Sequence, residues 1–406
     1  MKRLAAIMAL TLPGVAAAGP CDGPACNLDT LRPVMAKLAA ARDAAPGTPP
    51  VHIVQIGDSH TAGDVLTGAW RDLLQARYGS GGRGVLAPGR PWDGYITQGV
   101  TASMSPGWSV AATFGKGSAA PRPPLGLTSY ALRAIRPGAS IGVAADSPAM
   151  AFDRVVLCAL PVKGAVTVRM GATVQRIDLG SDAATPRCRT VRSDTPQMTV
   201  SVAAEGTTML TSIATFRDRG GVALSNLGVV GSQLRHFAER TDDALVGDEL
   251  DAYRPDLIVL AFGTNEGFAP QFDPRAYEAT LRGQIDRLHR LAPGVPLLLL
   301  GAPDALTRNP ALRANAEGVP VDCPDGGPAP LFAPPALGRV RAIQREVAGD
   351  LGIAFWDWQA AMGGPCTARG WTDAQLMRPD HIHFLRAGGA LLAQRLQGAI
   401  DRATSE

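Results

Sequence analysis

The feature that most constrains this chain is an α/β rhythm that starts, stops and starts again. Residues 51–56 form an apolar run ended by Gly57, and residues 64–77 carry apolar side chains at helical spacing (Val65, Ala69, Leu73, Leu74). That is strand, tight turn and helix, the first half of a βαβ unit. The rhythm breaks near Gly79 and returns after Gly221. Strand-like stretches at 222–230, 257–262, 295–300 and 353–356 then alternate with helical spacing over 277–291, 340–350 and 387–403. Continuous apolar strands separated by helices predict an α/β fold, a parallel sheet covered on both faces.

Between the two halves the pattern changes. Gly79-Ser80-Gly81-Gly82-Arg83-Gly84 reads as a flexible loop, and a Pro/Gly/Ser-rich region follows to about residue 145. Short Val- and Thr-rich runs then recur at 154–160, 165–170, 173–179, 197–203 and 209–216, a pattern that predicts an antiparallel β-sandwich. The expected organisation is a discontinuous α/β domain, residues 51–80 and 222–406, interrupted by a β-rich insert over 81–221. An N-terminal extension over 19–50, with a short helix near 31–42, precedes it. A chain of 406 residues, 46% of them hydrophobic, is long enough for more than one folding unit.

The N-terminus sets the expected compartment. Lys2 and Arg3, the apolar run 4–12 and Ala16-Ala17-Ala18 have the layout of a cleaved secretory signal peptide, residues 1–18. The run is shorter than the roughly 20 residues that a membrane span needs. Cys21, Cys26, Cys158, Cys188, Cys323 and Cys366 then belong to an exported chain, where disulfides persist. Sequence order favours Cys21–Cys26, Cys158–Cys188 and Cys323–Cys366 among the alternatives. No CxxC occurs and no cysteine adjoins a histidine, so no metal site is expected. The net charge is +3 without any Lys/Arg run, which argues against a nucleic-acid partner. No integral membrane association is expected.

Four short stretches can carry chemistry. Ser59, in Gly57-Asp58-Ser59-His60, stands just past the first strand and before a helix, where ligands bind in open parallel sheets. Gly57 permits the tight turn. Ser59 can be a nucleophile if a base lies within reach, or simply the cap of the helix. Asp380-His381-Ile382-His383 can supply that base, because a turn lets Asp380 orient the imidazole of His383 while its other nitrogen faces the serine. His381 reads as a solvent-facing or backbone-bonded histidine. Asn265, in Gly263-Thr264-Asn265-Glu266, can donate to an oxyanion or make an Asx turn. Gly231, after the strand at 222–230, can offer an unobstructed N–H or be an ordinary turn glycine.

In this order GDSH at 57–60, a glycine at 231, GTNE at 263–266 and DxxH at 380–383 resemble the four blocks of the SGNH (GDSL-like) hydrolase superfamily. The resemblance covers about residues 50–80 and 222–402. It implies a flavodoxin-like three-layer α/β/α domain. It also implies Ser59 as nucleophile, His383 as general base and Asp380 as its orienting partner. The Ser59 and Gly231 N–H groups and the Asn265 side chain would form the oxyanion hole. GDSHTAGD, YGSGGRG, the β-rich insert and GTNEGF are similar, more narrowly, to periplasmic peptidoglycan O-acetylesterases of Gram-negative bacteria. That likeness implies a carbohydrate-binding-module-like insert, a periplasmic location and muramic acid 6-O-acetyl groups as substrate.

Other functions stay open. The same triad serves a polysaccharide O-acetyltransferase, an acetylesterase acting on xylan or another acetylated polysaccharide, or, unused, a glycan-binding scaffold. Trp371, Trp92 and Trp108 can each stack on a sugar or simply pack, with Trp371 the candidate substrate contact. Arg378 and Arg83 are arginines that could meet a substrate carboxylate. No cofactor is expected. The base must be neutral, and free histidine titrates at about 6.5, so activity is expected to fall on the acid side near that pH.

Overall fold

The computed structural model describes residues 21, 23–180, 187–314, 321–323 and 330–405. The expected signal peptide lies outside the described residues. Five parallel strands carry the α/β part: β1 (Val51–Gly57), β2 (Val222–Gly228), β3 (Leu257–Ala261), β4 (Leu297–Gly301) and β5 (Ala354–Asp357). Their spatial order is 2-1-3-4-5, the flavodoxin-like doubly wound order. Alternate residues of each strand enter two separate cores. Val54, Ile56, Ile258, Leu260, Leu297, Leu299 and Phe355 go to one, while Ile53, Leu257, Val259, Leu298, Leu300 and Trp356 go to the other. Helices Asp243–Tyr253, Pro274–Leu291 and Pro335–Leu351 cover the first face. Helices Arg32–Ala41, Val65–Tyr78 and Arg386–Ser405 cover the second. Burial on both faces is why these strands read as unbroken apolar runs.

The stretch expected to be an N-terminal extension is built into this domain. Leu28, Leu31, Val34 and Leu38 join the second core, and Ala25–Cys26 adds an antiparallel edge to β5. The cysteines pair as Cys21–Cys26, Cys158–Cys188 and Cys323–Cys366. Cys158 and Cys188 face each other across neighbouring strands.

Between β1 and β2 the chain builds two antiparallel sheets. One runs Thr173–Asp178, Gly164–Met170, Thr199–Gly206, Ser140–Ala145, Val100–Met104. The other runs Cys188–Gln197, Phe152–Ala159, Met209–Phe216, Tyr130–Ala134, Trp108–Ala112. Val143, Val168 and Val202 of the first meet Leu132, Leu157 and Ile213 of the second in a shared core. Several of these strands fall where the sequence predicts none. Val100–Met104, Trp108–Ala112 and Ser140–Ala145 are short, half-exposed and rich in Ala, Ser and Gly. Pairing with distant partners, rather than local propensity, holds them extended.

The glycine-rich segment corrects a second expectation. Gly82–Leu86 is a buried strand paired with Met209–Phe216, not a flexible loop. Gly82 and Gly84 adopt φ of +94° and +83°. A Cβ on Gly84 would lie 2.4 Å from Ser225 Oγ, so the glycines here serve close approach as well as positive φ.

This strand delivers Arg83 into a fully buried ionic junction. Asp64, at φ +51° before helix Val65–Tyr78, accepts from Arg71 Nη2 at 2.8 Å and Arg83 Nη2 at 2.9 Å, all three side chains being inaccessible. Asp64 also accepts from the Thr67 hydroxyl and the Gln98 N–H. Arg83 donates to Asn226, whose amide in turn donates to the Thr61 carbonyl beside the first turn. Arg83 is thus a structural cation and is not available to a substrate. Burial opposes ionisation of Asp64, but the two guanidiniums outweigh it and hold the carboxyl below its ordinary range. The stabilisation is therefore complete above about pH 4, where the unfolded aspartate is also ionised, and is lost as acid titrates the native carboxylate. Replacing Arg83 by Ala strands a buried charge and should cost about 3–5 kcal/mol. Urea unfolding at pH 7 measures this, and the difference between Arg83→Ala and the native chain should shrink below pH 4.

Candidate active site

β1 lies between β2 and β3, and the three strands end level: Gly57 is opposite both Gly228 and Ala261. The chain then turns at each strand end, so residues 58–60, 229–232 and 263–266 crowd one spot at the carboxyl edge. Gly57 is required there for space rather than for positive φ. A Cβ would lie 2.5 Å from the Ala261 carbonyl and 2.3 Å from Thr61 Oγ1. Asp58 caps the short helix Ser59–Ala62 by accepting from the His60 N–H at 2.9 Å. Ser59 is the first residue inside that helix and so is not the cap.

The loop carrying Asp380 and His383 closes over this turn. Met377 pairs with Phe384, Arg378 N–H donates to the His383 carbonyl at 2.7 Å, and Phe384 stacks on Trp358 with ring centroids 5.4 Å apart. His383 Nε2 lies 3.0 Å from Ser59 Oγ, and its Nδ1 lies 2.8 Å from Asp380 Oδ2. The other Asp380 oxygen accepts from the Ile382 and His383 N–H groups at 2.9 Å each. Partial burial raises the Asp380 carboxyl, but these donors overcome it and hold the group below its ordinary range. An ionised Asp380 selects the tautomer with Nδ1–H, leaving Nε2 to accept from the serine. An imidazole so placed can take a proton from the hydroxyl and return it to a leaving group. His381 points elsewhere: its Nδ1 lies 2.8 Å from the Thr372 hydroxyl.

Asn265 and Gly231 come together beside this turn. Asn265 Nδ2 donates to the Ser232 carbonyl at 2.9 Å, and Gln233 Nε2 donates back to the Asn265 carbonyl at 3.0 Å. One amide hydrogen of Asn265 is thereby used to fix the loop, and the second remains for a ligand. Gly231 has φ +76°, and a Cβ there would meet the Phe114 ring at 2.8 Å.

A cavity of about 400 Å³ opens at Ser59 and His383, walled by Val65, Trp92, Ile96, Val230, Trp358 and Phe384, with Arg378 also on its lining. A larger cleft of about 760 Å³, between Asn27, Trp356 and Arg402 at the far edge of the sheet, contains none of these residues. Trp371 is corrected by its surroundings. It is 7% exposed, its indole N–H donates to the Met362 carbonyl, and its ring meets Phe384 edge-on. It braces the histidine loop from behind. Trp108 lies in the insert and donates to the Ser140 carbonyl. The aromatic wall is Trp92, stacked on Tyr130 and contributed by the chain between β1 and β2. Its signal in the sequence was only a Trp in a Pro/Gly-rich stretch. His60 is a neutral wall: burial, then His383 nearby, push it down to about 3, and its Nε2 is buried without a partner.

Residues 209–391 match the model of the GDSL-like lipase/acylhydrolase family, a span that takes in Gly231, Asn265, Asp380 and His383 but not Ser59. No curated protein sequence matches the chain. Among solved structures, one described as a peptidoglycan O-acetylesterase in action superposes with a TM-score of 0.75 at 24% identity, covering 94% of this chain and 99% of the other. A family two carbohydrate esterase from Cellvibrio japonicus reaches a TM-score of 0.28 at 13% identity, over 75% of this chain and 98% of its own. A salicylyl-acyltransferase from a tetracycline biosynthetic pathway gives 0.31 at 14%, over 79% and 98%. Both overlap too loosely to bear on the argument. The chain thus resembles the GDSL-like lipases and acylhydrolases over residues 209–391, and over nearly its whole length it has the fold of a peptidoglycan O-acetylesterase.

Proposed function

We propose that the protein is a serine esterase that hydrolyses O-acetyl esters on a cell-envelope glycan, with the muramic acid 6-O-acetyl groups of peptidoglycan as the favoured substrate. The observation that carries this reading is the hydrogen-bonded series Asp380–His383–Ser59 at the mouth of an open cavity. His383 takes the Ser59 proton as the hydroxyl attacks the acetyl carbonyl, and Asp380 stabilises the imidazolium that forms. The Ser59 and Gly231 N–H groups and the Asn265 amide receive the oxyanion. On collapse the sugar oxygen leaves with the proton from His383, and the acetyl group stays on Ser59 Oγ. Water, activated by the same imidazole, then releases acetate and restores the serine. The scheme calls for no metal or organic cofactor.

The glycan part of the reading is supported by the fold shared with a peptidoglycan O-acetylesterase. We read residues 81–221 as an inserted β-sandwich of the carbohydrate-binding-module kind, whose Trp92 gives the cavity a face on which a sugar can stack. Export to the periplasm after cleavage of residues 1–18 accords with the three disulfides. Among the described residues no helix is long and apolar enough to cross a membrane.

Acetate release from O-acetylated peptidoglycan and from acetylated xylan tests the reading. Ser59→Ala and His383→Ala should each lower kcat by about ten-thousand-fold or more, and Asn265→Ala by about a hundredfold to a thousandfold. Release chiefly from xylan would keep the esterase and remove the cell-wall role. Acetyl transfer to an added glycan in place of release would make the protein a transferase. Trp92→Ala should raise KM for the glycan and leave a small aryl acetate unaffected. Trp371→Ala should lower the unfolding temperature and weaken both reactions alike.

A further inference from the structure

Two buried carboxyls sit behind the three turns and take no part in the scheme above. Asp58, 1% exposed, directly precedes Ser59, and Glu266, 5% exposed, directly follows Asn265. Each ties its own turn to a neighbour. The Asp58 carboxyl accepts from His60 N–H at 2.9 Å within the serine turn, and the Thr264 N–H at the start of the asparagine turn favours its charged form. Glu266 Oε1 accepts from Leu234 N–H at 2.7 Å, just past the Gly231 turn. With the Asn265–Ser232 and Gln233–Asn265 bonds, these contacts form a continuous tie from serine turn to asparagine turn to glycine turn. Glu266 Oε2 is buried without a hydrogen-bond partner, and Glu266 lines a cavity of about 270 Å³ together with Gln233, Arg235, Glu239 and Tyr277.

We propose that Asp58 and Glu266 are positioning residues: two buried carboxyls that clamp the turns bearing Ser59, Gly231 and Asn265 into one oxyanion-binding unit. The proposal rests on the esterase reading for its effect on rate, but not for its effect on stability.

The surroundings supply little positive charge. Asp58 faces Glu266, Tyr277 and the neutral His60; Glu266 faces Asp58, Tyr277, Glu239 and the distant guanidinium of Arg235. Neutral His236 accepts from Gln233 N–H on the adjoining helix. Burial, with the other carboxyl adding to it, raises Asp58 to about 8, and burial raises Glu266 to about 7. Both native values lie above those of the unfolded chain, about 4, so the native state holds protons that the unfolded state has lost. The contribution of these two groups to stability is therefore full below about pH 4 and is lost as pH rises to about 8. Over the upper part of that window the second carboxylate forms, the pair repels, and the donors lose their register.

Glu266→Gln and Glu266→Ala separate this role from simple packing. Glutamine can still accept from Leu234 N–H but cannot ionise. With 4-nitrophenyl acetate, Glu266→Ala should lose about thirtyfold to a hundredfold in kcat at pH 7 with little change in KM, as misplacing an oxyanion donor does. Glu266→Gln should recover kcat to within about fivefold and move the alkaline limb of kcat upward by about one pH unit or more. Unfolding temperatures from pH 5 to 9, read without any activity, should fall less steeply in Glu266→Gln and in Asp58→Asn than in the native chain. The clamp is overturned if Glu266→Ala keeps full kcat, if both Glu266 variants lose kcat and KM alike, or if the pH dependence of unfolding is the same in every variant. If the native chain shows no Ser59-dependent hydrolysis, the esterase reading falls and the unfolding measurement alone decides the clamp.

Discussion

One buried carboxylate, Asp64, links parts of this molecule that are far apart in sequence. It stands between two guanidiniums, one from its own helix and one from the glycine-rich strand that opens the insert. All three side chains are closed to solvent, and the two guanidiniums offset the burial that opposes ionisation of Asp64. Arg71 and Arg83 also take the Leu224 carbonyl of β2, and Arg83 reaches Asn226, which holds the Thr61 carbonyl. The serine turn, the central sheet and the insert are thereby referred to one point. A tilt of the insert would move Arg83 and, through it, the turn that presents Ser59.

The same economy governs the site. Because β1 lies between β2 and β3 and all three stop level, three turns meet without any long loop to be ordered. That lowers the entropy cost of bringing Ser59, Gly231 and Asn265 together. The requirement for close approach shows in the glycines: a Cβ on Gly228 would lie 2.1 Å from Ala62 N. The histidine loop arrives from the other end of the chain and is pinned by Phe384 between Trp358, Trp371 and His60. The chain between β1 and β2 then supplies a wall of the cavity through Trp92, apart from the segments that bring Ser59 and His383 together. A second buried carboxyl, Glu249, accepts from Leu127 N–H and from the Thr211 and Ser212 hydroxyls and fastens the insert to helix Asp243–Tyr253.

What the amino-acid order determined by itself is the α/β half and the residues of its candidate site. Strands buried on both faces must be apolar throughout, so β1, β3 and β4 are visible in a window of five or six residues. Ser59, Asp380 and His383 were legible because each motif sits at a strand end or before a helix, where the backbone alone exposes a side chain. Tertiary structure decided the rest, because it depends on partners that no local window contains. The strands at 82–86, 100–104 and 140–145 are extended only because distant strands pair with them. Arg83 looks like a surface arginine until Asp64 and Asn226 close around it, and of the tryptophans that could stack on a sugar Trp92 lines the cavity while Trp371 packs behind Phe384. A tryptophan's sequence neighbours do not say which side of Phe384 will be solvent, since that depends on where two chain segments hundreds of residues apart meet.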